Sequence, residues 1–143
     1  VLIPEAKGAV MYSDDQQKFL ADHRWAVLAT GRADGSPQQS MVGYTLDEQG
    51  RLLVSTRLPS AKWHNITRQP KVSVTVPDGR VNLVVYGTAE TIDTDPQRAE
   101  LSADVLAVVR GPDRPEPSTI IGWLDQDKRG ILRINPDKVL LHE

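Results

Sequence analysis

The run Lys71-Val-Ser-Val-Thr-Val76 spaces three valines two apart, closes on Pro77-Asp78-Gly79, and is followed by a long return stretch over residues 80–92. In an extended chain successive side chains face opposite ways, so Val72, Val74 and Val76 share one face and the two stretches form a hairpin that packs on a core. The same grammar recurs upstream. Trp25-Ala-Val-Leu-Ala-Thr30 is too short for a typical helix and is bounded by Gly31 and the turn Ala33-Asp34-Gly35-Ser36, which predicts a strand buried on both faces. Residues 39–46 return with alternating character, Asp47-Glu48-Gln49-Gly50 turns again, and residues 51–56 place Leu52 and Val54 on one side. Near the end, 130–135 and 138–142 read as a closing strand pair around Asn135-Pro136-Asp137, for about seven strands in all. Gly87 marks a bulge or a bend in the longest of them.

Helices interrupt this pattern at defined places. Ser13 followed by Gln16 is a capping box, predicting a short helix over 14–23. Ser60 caps another, which Pro70 stops after about Gln69. Asp95 as cap with Pro96 at the first helical position starts a third, with Leu101, Val105 and Val108 on its inner face and an end near Gly111. Pro112, Pro115 and Pro117 make 111–118 a loop, and 118–127 fits either helix or loop. Adjacent strands joined by short turns, with helices at the corners, predict a mainly β protein: a small antiparallel barrel with short helices. At 143 residues one domain spanning 1–143 is expected, with 1–12 as an N-terminal arm.

Charge and composition exclude several functions. Seventeen Lys and Arg against nineteen Asp and Glu give a net charge of -2 with no basic run, which disfavours nucleic-acid partners. With no cysteine there is neither a disulfide framework nor a thiolate metal site, as suits a reducing compartment. No apolar stretch reaches the roughly 20 residues of a membrane span, and Val1 to Val10 lacks the layout of a secretory signal, so the expectation is a soluble cytoplasmic protein. Phosphate loops, nucleophile elbows and zinc helices are missing from the sequence. His23, His64 and His142 fall in unrelated elements, and the pairs Asp14/Asp15, Asp93/Asp95 and Asp125/Asp127 sit where carboxylates cap helices and turns. Neither a metal site nor a catalytic acid–base set is expected.

One segment carries chemistry. In Ser55-Thr-Arg-Leu-Pro-Ser-Ala-Lys-Trp-His-Asn65 a strand ends in two hydroxyls, Arg57 follows, and the capped helix presents Lys62 in its first turn. Free backbone donors and the positive end of the helix dipole, joined by Lys62 and Arg57, would hold a phosphate or carboxylate. An exposed lysine after a cap also occurs without any ligand.

The ordered motifs Phe19-Leu-x-x-x-Arg24-x-Ala-Val-Leu-Ala-Thr30, Asp34-Gly-Ser-Pro-Gln38-x-Ser40-x-Val42-x-Tyr44, Leu52-x-Val-Ser-Thr56 and Lys62-x-x-Asn65-Ile-x-Arg-x-Pro70-x-Val-Ser-Val span residues 19–74. Together they resemble the split-barrel flavin or deazaflavin reductases of the pyridoxamine-phosphate-oxidase-like superfamily, above all the actinobacterial branch that uses coenzyme F-420. The resemblance implies an FMN-binding type of split barrel with six to seven strands, and a homodimer with cofactor grooves between the subunits. It also implies that Ser40, Met41 and Val42 line the cofactor ring with main-chain groups, that Ser55 and Thr56 close the strand edge beside it, and that Arg57, Lys62 and Asn65 face its phosphate. Trp63 either stacks on a ligand or packs into the core, and Trp123 either covers the groove or fills the core.

True pyridoxamine-phosphate oxidases carry basic residues on the second strand, whereas here it reads Pro37-Gln-Gln-Ser-Met-Val-Gly43, and their basic C-terminal motif is not visible in Val139-Leu-Leu-His-Glu143. The resemblance therefore implies an F-420-dependent reductase passing a hydride to a small unsaturated or aromatic acceptor. An FMN oxidoreductase of the same fold, or a non-catalytic carrier of a cofactor, haem or apolar ligand, is the alternative. In hydride transfer the cofactor supplies the reactive atom and the protein supplies orientation, so no catalytic base is required.

Overall fold

A computed structural model describes residues 12–142. The elements are α1 (Asp14–Asp22), β1 (Trp25–Gly31), β2 (Pro37–Leu46), β3 (Leu52–Arg57), α2 (Ala61–Arg68), β4 (Lys71–Asp78), β5 (Val81–Ile92), α3 (Gln97–Val109), α4 (Pro117–Gln126) and β6 (Arg129–His142). The strands close into an antiparallel barrel in the order β1-β2-β3-β6-β5-β4. The hairpin expected around Pro77-Asp78-Gly79 is β4–β5, with Val74 opposite Val85 and Val76 opposite Leu83. The N-terminal arm expected over 1–12 lies, apart from Tyr12, outside the described residues.

The closing pair of strands is in fact one. β6 runs without a break through Asn135-Pro136-Asp137 and pairs with β3 on one side and β5 on the other, so the barrel has six strands. Gly87 faces Pro136 while Tyr86 faces Lys138, which leaves Asp137 as the extra residue of a β-bulge. The turn-forming residues are absorbed by that bulge and do not reverse the chain. Gly87 is needed there because a Cβ would fall 2.5 Å from the Asn135 carbonyl oxygen.

The barrel interior is filled by alternate residues: Leu28, Tyr44, Val54, Val74, Val85, Leu132 and Ile134 are all buried. Helix α1 packs on this core with Leu20, and the Tyr44 hydroxyl donates to the Leu20 carbonyl at 2.6 Å. The Ser13–Gln16 capping box is present in both directions. From α2, Trp63 and Ile66 join the same core. Trp63 is thus a packing residue, and Gly130 makes room for its ring, since a Cβ there would lie 2.7 Å from Cη2.

Helix α3 builds a second, smaller core outside the barrel from Val105 with Leu53, Ile92 and Ile131. It begins at Gln97, one residue later than expected, with Pro96 at the cap and the Asp95 carboxylate accepting from the Ala99 N–H at 3.0 Å. Val108, expected on the inner face, is exposed; the buried face runs instead through Arg98, Ala99, Ser102, Ala103 and Val105. Residues 117–126 are helical, with Leu124 fully buried, which stabilises the packing by about 2–3 kcal/mol. Arg98 ties the region together. Its guanidinium donates to Asp95 and Asp125 and to the Arg129 carbonyl, joining α3 to α4 and the start of β6. Among the described residues no helix is long and apolar enough to cross a membrane.

Candidate functional site

The barrel ladder is incomplete along one seam. β2 pairs with β1 from Pro37 to Gly43, but with β3 only at Tyr44, Thr45 and Leu46. Beyond that point β3 continues as Ser55, Thr56 and Arg57, paired with β6 alone. The seam is where a strand edge becomes available. Tyr44 N–H donates to the Arg24 carbonyl on the β1 side, and Asp47 N–H donates to Arg51 on the β3 side. Along an antiparallel strand these directions alternate, so Met41, Gly43 and, across from them, Ser55 turn their main-chain groups toward the seam; the Tyr44–Val54 pair takes up the Gly43 C=O and the Ser55 N–H, which leaves both groups of Met41, the Gly43 N–H and the Ser55 C=O. Backbone groups of this kind need a partner.

A cleft of about 350 Å³ opens there, within the usual size of small-molecule sites. Trp25, Met41, Val42, Ser55, Thr56 and Lys62 form one side, and Val105, Leu106, Val109, Arg110, Trp123 and Arg129 the other. Gly43 permits the closure, because a Cβ at that position would lie 2.7 Å from Val109 Cγ2 on α3. Three cations and no carboxylate appear in the walls.

Each cation has a distinct origin. Ser60 caps α2, with its hydroxyl within 3.3 Å of Thr56 Oγ1 and accepting from the Trp63 N–H at 3.4 Å, which sets Lys62 in the first turn. Loss of solvent around the half-buried Lys62 ammonium pushes its pKa below the ordinary lysine value, and the positive charge of Arg129 pushes the same way. An anion placed there would relieve both effects. Arg129, at the start of β6, donates from Nε to Asp127 at 2.6 Å. Arg110, just past the end of α3, lies over the Trp123 ring at 5.1 Å, and Arg129 lies over the same ring at 5.8 Å.

Of the residues singled out from sequence, Met41, Val42, Ser55, Thr56 and Lys62 stand together in the cleft wall. Ser40 does not. Its main chain faces β1 by the same alternation, and its hydroxyl is buried without a hydrogen-bond partner. Arg57 is exposed and reaches the Asp127 carbonyl at 3.4 Å, outside the wall. Asn65 is buried beneath α2, donating to Thr30 Oγ1 at 3.0 Å and accepting from Arg68 at 3.1 Å, so it fastens the helix to β1.

The sequence reading missed Trp25, Arg110 and Arg129 and left Trp123 undecided; Trp123 is a cleft residue. Arg110, Trp123 and Arg129 are brought in by the packing of α3 on α4, and no short spacing announces them. Among the described residues no group of His, Asp and Glu is arranged to hold a metal ion.

A six-stranded barrel with one open seam has relatives. The sequence profile of the family described as pyridoxamine 5'-phosphate oxidase matches residues 12–143. The chain belongs to this family. Solved structures agree in fold. A conserved hypothetical protein from Mycobacterium tuberculosis is 23% identical, with 96% of this chain and 88% of that one covered and a TM-score of 0.77. An F420 reductase is also 23% identical, over 90% and 98% of the two chains, with a TM-score of 0.69. An FAD-binding protein from Mesorhizobium loti is 23% identical over 92% and 94%, with a TM-score of 0.66. At these identities the similarity establishes the split-barrel family fold, mainly β with short helices.

Proposed function

We propose that the seam cleft binds a flavin or deazaflavin and that the protein is an oxidoreductase, passing a hydride between coenzyme F-420 and a small unsaturated or aromatic acceptor. The observation that carries this reading is the meeting, at one opening, of strand-edge groups left over at Met41, the Gly43 N–H and the Ser55 carbonyl with the cations Lys62 and Arg129. A flat heterocycle with alternating donors and acceptors on its edge suits the first set, and an anionic tail suits the second, so the residues present fit such a cofactor. When bound, the cofactor supplies the hydride chemistry.

The chain's own residues then orient and shield. Lys62, at the positive end of α2, holds the negative charge. The strand edges at Met41, Gly43 and Ser55 would hold the polar edge of the ring. Trp25 and Trp123, which line the cleft, would exclude water from it, and holding donor and acceptor in contact would supply several kcal/mol of rate acceleration, on the order of 7–11 in the best intramolecular cases. F-420 is favoured over FMN because β2 has no cation, leaving positive charge only on the α2, α3 and β6 side. An F420 reductase among the structural relatives supports the same choice, while the FAD-binding relative keeps FMN in view as the second reading.

The reading includes a cytoplasmic homodimer. Trp25 and Met41 are 49% and 63% exposed beside the cleft, an apolar rim that a second copy would cover. Titration of purified protein with F-420 and with FMN, followed by cofactor fluorescence, tests the reading. Lys62→Ala is expected to weaken binding about 10–100-fold, the worth of one charge-assisted hydrogen bond. No fluorescence change with either cofactor overturns the reading, and unaltered affinity in the variant removes the assignment of Lys62.

A further inference from the structure

A second cavity, of about 410 Å³, lies beside the seam cleft between the end of α3, the 111–116 loop and α4. Leu106, Pro112, Pro115 and Ile120 give it apolar walls, and Leu106, Arg110 and Trp123 are shared with the cleft, so the two spaces adjoin. The loop is held in place from both directions. Two prolines restrict its backbone, and Arg114 clamps it to α3, donating to Asp104 at 2.7 Å and to the Glu100 carbonyl at 3.3 Å. The cavity is therefore preformed, as small-molecule sites generally are.

Its charge is equally defined. The Arg110 guanidinium stacks on Trp123, feels the Asp127 carboxylate only through space, and makes no hydrogen bond or salt bridge with another described side chain, while its backbone N–H donates to the Leu106 carbonyl at 3.0 Å. Asp113 is the single carboxylate in the walls and disfavours a second negative charge on any occupant.

We propose that this cavity binds the apolar body of a second ligand, an aromatic or alicyclic monoanion whose carboxylate is met by Arg110 at the border with the cleft. Its place as an acceptor site rests on the cofactor reading above; the binding itself does not. A polyanion is rejected by Asp113, and a neutral ring lacks the partner that Arg110 offers.

The probe is 2-naphthoate, compared with neutral 2-naphthalenemethanol, followed by tryptophan fluorescence and by calorimetry. The expected result is saturable binding of the anion, about tenfold tighter than the alcohol, without competition from F-420 or FMN. Ile120→Trp fills the cavity and weakens naphthoate at least about tenfold, while cofactor affinity stays within about twofold. Ile120→Glu, at the same half-exposed position, weakens the anion far more than the alcohol and guards against misfolding of the larger variant. The proposal is overturned by absence of saturable binding, by equal affinity for both probes, by indifference to both substitutions, or by competition with the cofactor. Naphthoate binding that responds to Ile120 in a protein that takes neither cofactor sustains this site and defeats the cofactor reading instead.

Discussion

Replacing Arg98 by methionine removes a buried cation whose four hydrogen bonds fasten α3 to α4 and to the start of β6. The guanidinium donates to Asp95 at 2.8 and 3.2 Å, to Asp125 at 2.7 Å and to the Arg129 carbonyl at 3.3 Å. Breaking a buried ion pair by removing one partner costs about 3–5 kcal/mol when the remaining charge is stranded. Here the stranding is incomplete: the Asp125 side chain is 65% exposed and that of Asp95 27%, so both carboxylates regain water. The expected loss is therefore about 2–3 kcal/mol, since methionine keeps much of the packing volume but leaves the Arg129 carbonyl without its donor. For a chain of this length that is a fall in Tm of roughly 6–12 °C.

Calorimetric unfolding across pH checks both size and cause. The Arg98 hydrogen bond holds the Asp95 carboxyl below the usual aspartate value. A depressed carboxyl pKa stabilises the fold above the unfolded value, about 3.9, and the benefit disappears as pH falls through the folded value. The gap between wild type and Arg98→Met should thus be full at pH 7 and narrow below about pH 4. A loss under about 1 kcal/mol at neutral pH, or a gap indifferent to acid, refutes the reasoning.

Two further outcomes follow from local geometry. Gly87→Ala forces a Cβ against the Asn135 carbonyl oxygen and Ile134 Cγ2, at 2.5 and 2.9 Å; because one neighbour is backbone, a destabilisation of about 2–3 kcal/mol is expected, read from the urea midpoint. His23 uses both ring nitrogens, Nδ1 toward the Phe19 carbonyl at 2.6 Å and Nε2 toward Asp78 at 2.9 Å, so the doubly protonated ring is favoured and its pKa is raised, first by the Phe19 carbonyl and then by Asp78. That contribution is present below about pH 6.5 and is lost as pH rises through the folded value, so the stability difference between wild type and His23→Leu should shrink from pH 6 toward pH 8; an NMR titration giving a lowered ring pKa would contradict it.

The first five strands and the first two helices were legible because local signals agree with one another there, whereas Asn135-Pro136-Asp137 reads as a turn and is a bulge within β6. Val72, Val74 and Val76 alternate into the core, the turns carry Asp-Gly or Gln-Gly at their tips, and Ser13 and Ser60 cap as their spacing dictates. Lys62 was legible for the same reason: a cap fixes the residue two positions on. Ser40 and Asn65 show the limit of that logic. A strand turns only every second backbone pair toward one edge, so three consecutive residues cannot all face a ring, and a helix residue three beyond Lys62 points to β1. The α3 face was misread at Val108 because Arg98 and Ser102 are buried polar residues, which hydrophobic periodicity counts as outward. Arg110, Trp123 and Arg129 meet only after α3 and α4 pack, an event written in tertiary contacts and not in spacing.

The position of β6 in the ladder has a consequence for how the protein is made. This strand lies between β3 and β5 in space but after both in the chain, pairing Leu52 with Ile134 and Ile92 with Ile131. During synthesis five strands therefore leave the ribosome before the sixth, with the flanks of β3 and β5 bare. Contacts so distant along the chain form slowly, and bare flanks invite mispairing between nascent chains. Those flanks are covered only when residues 129–142 arrive.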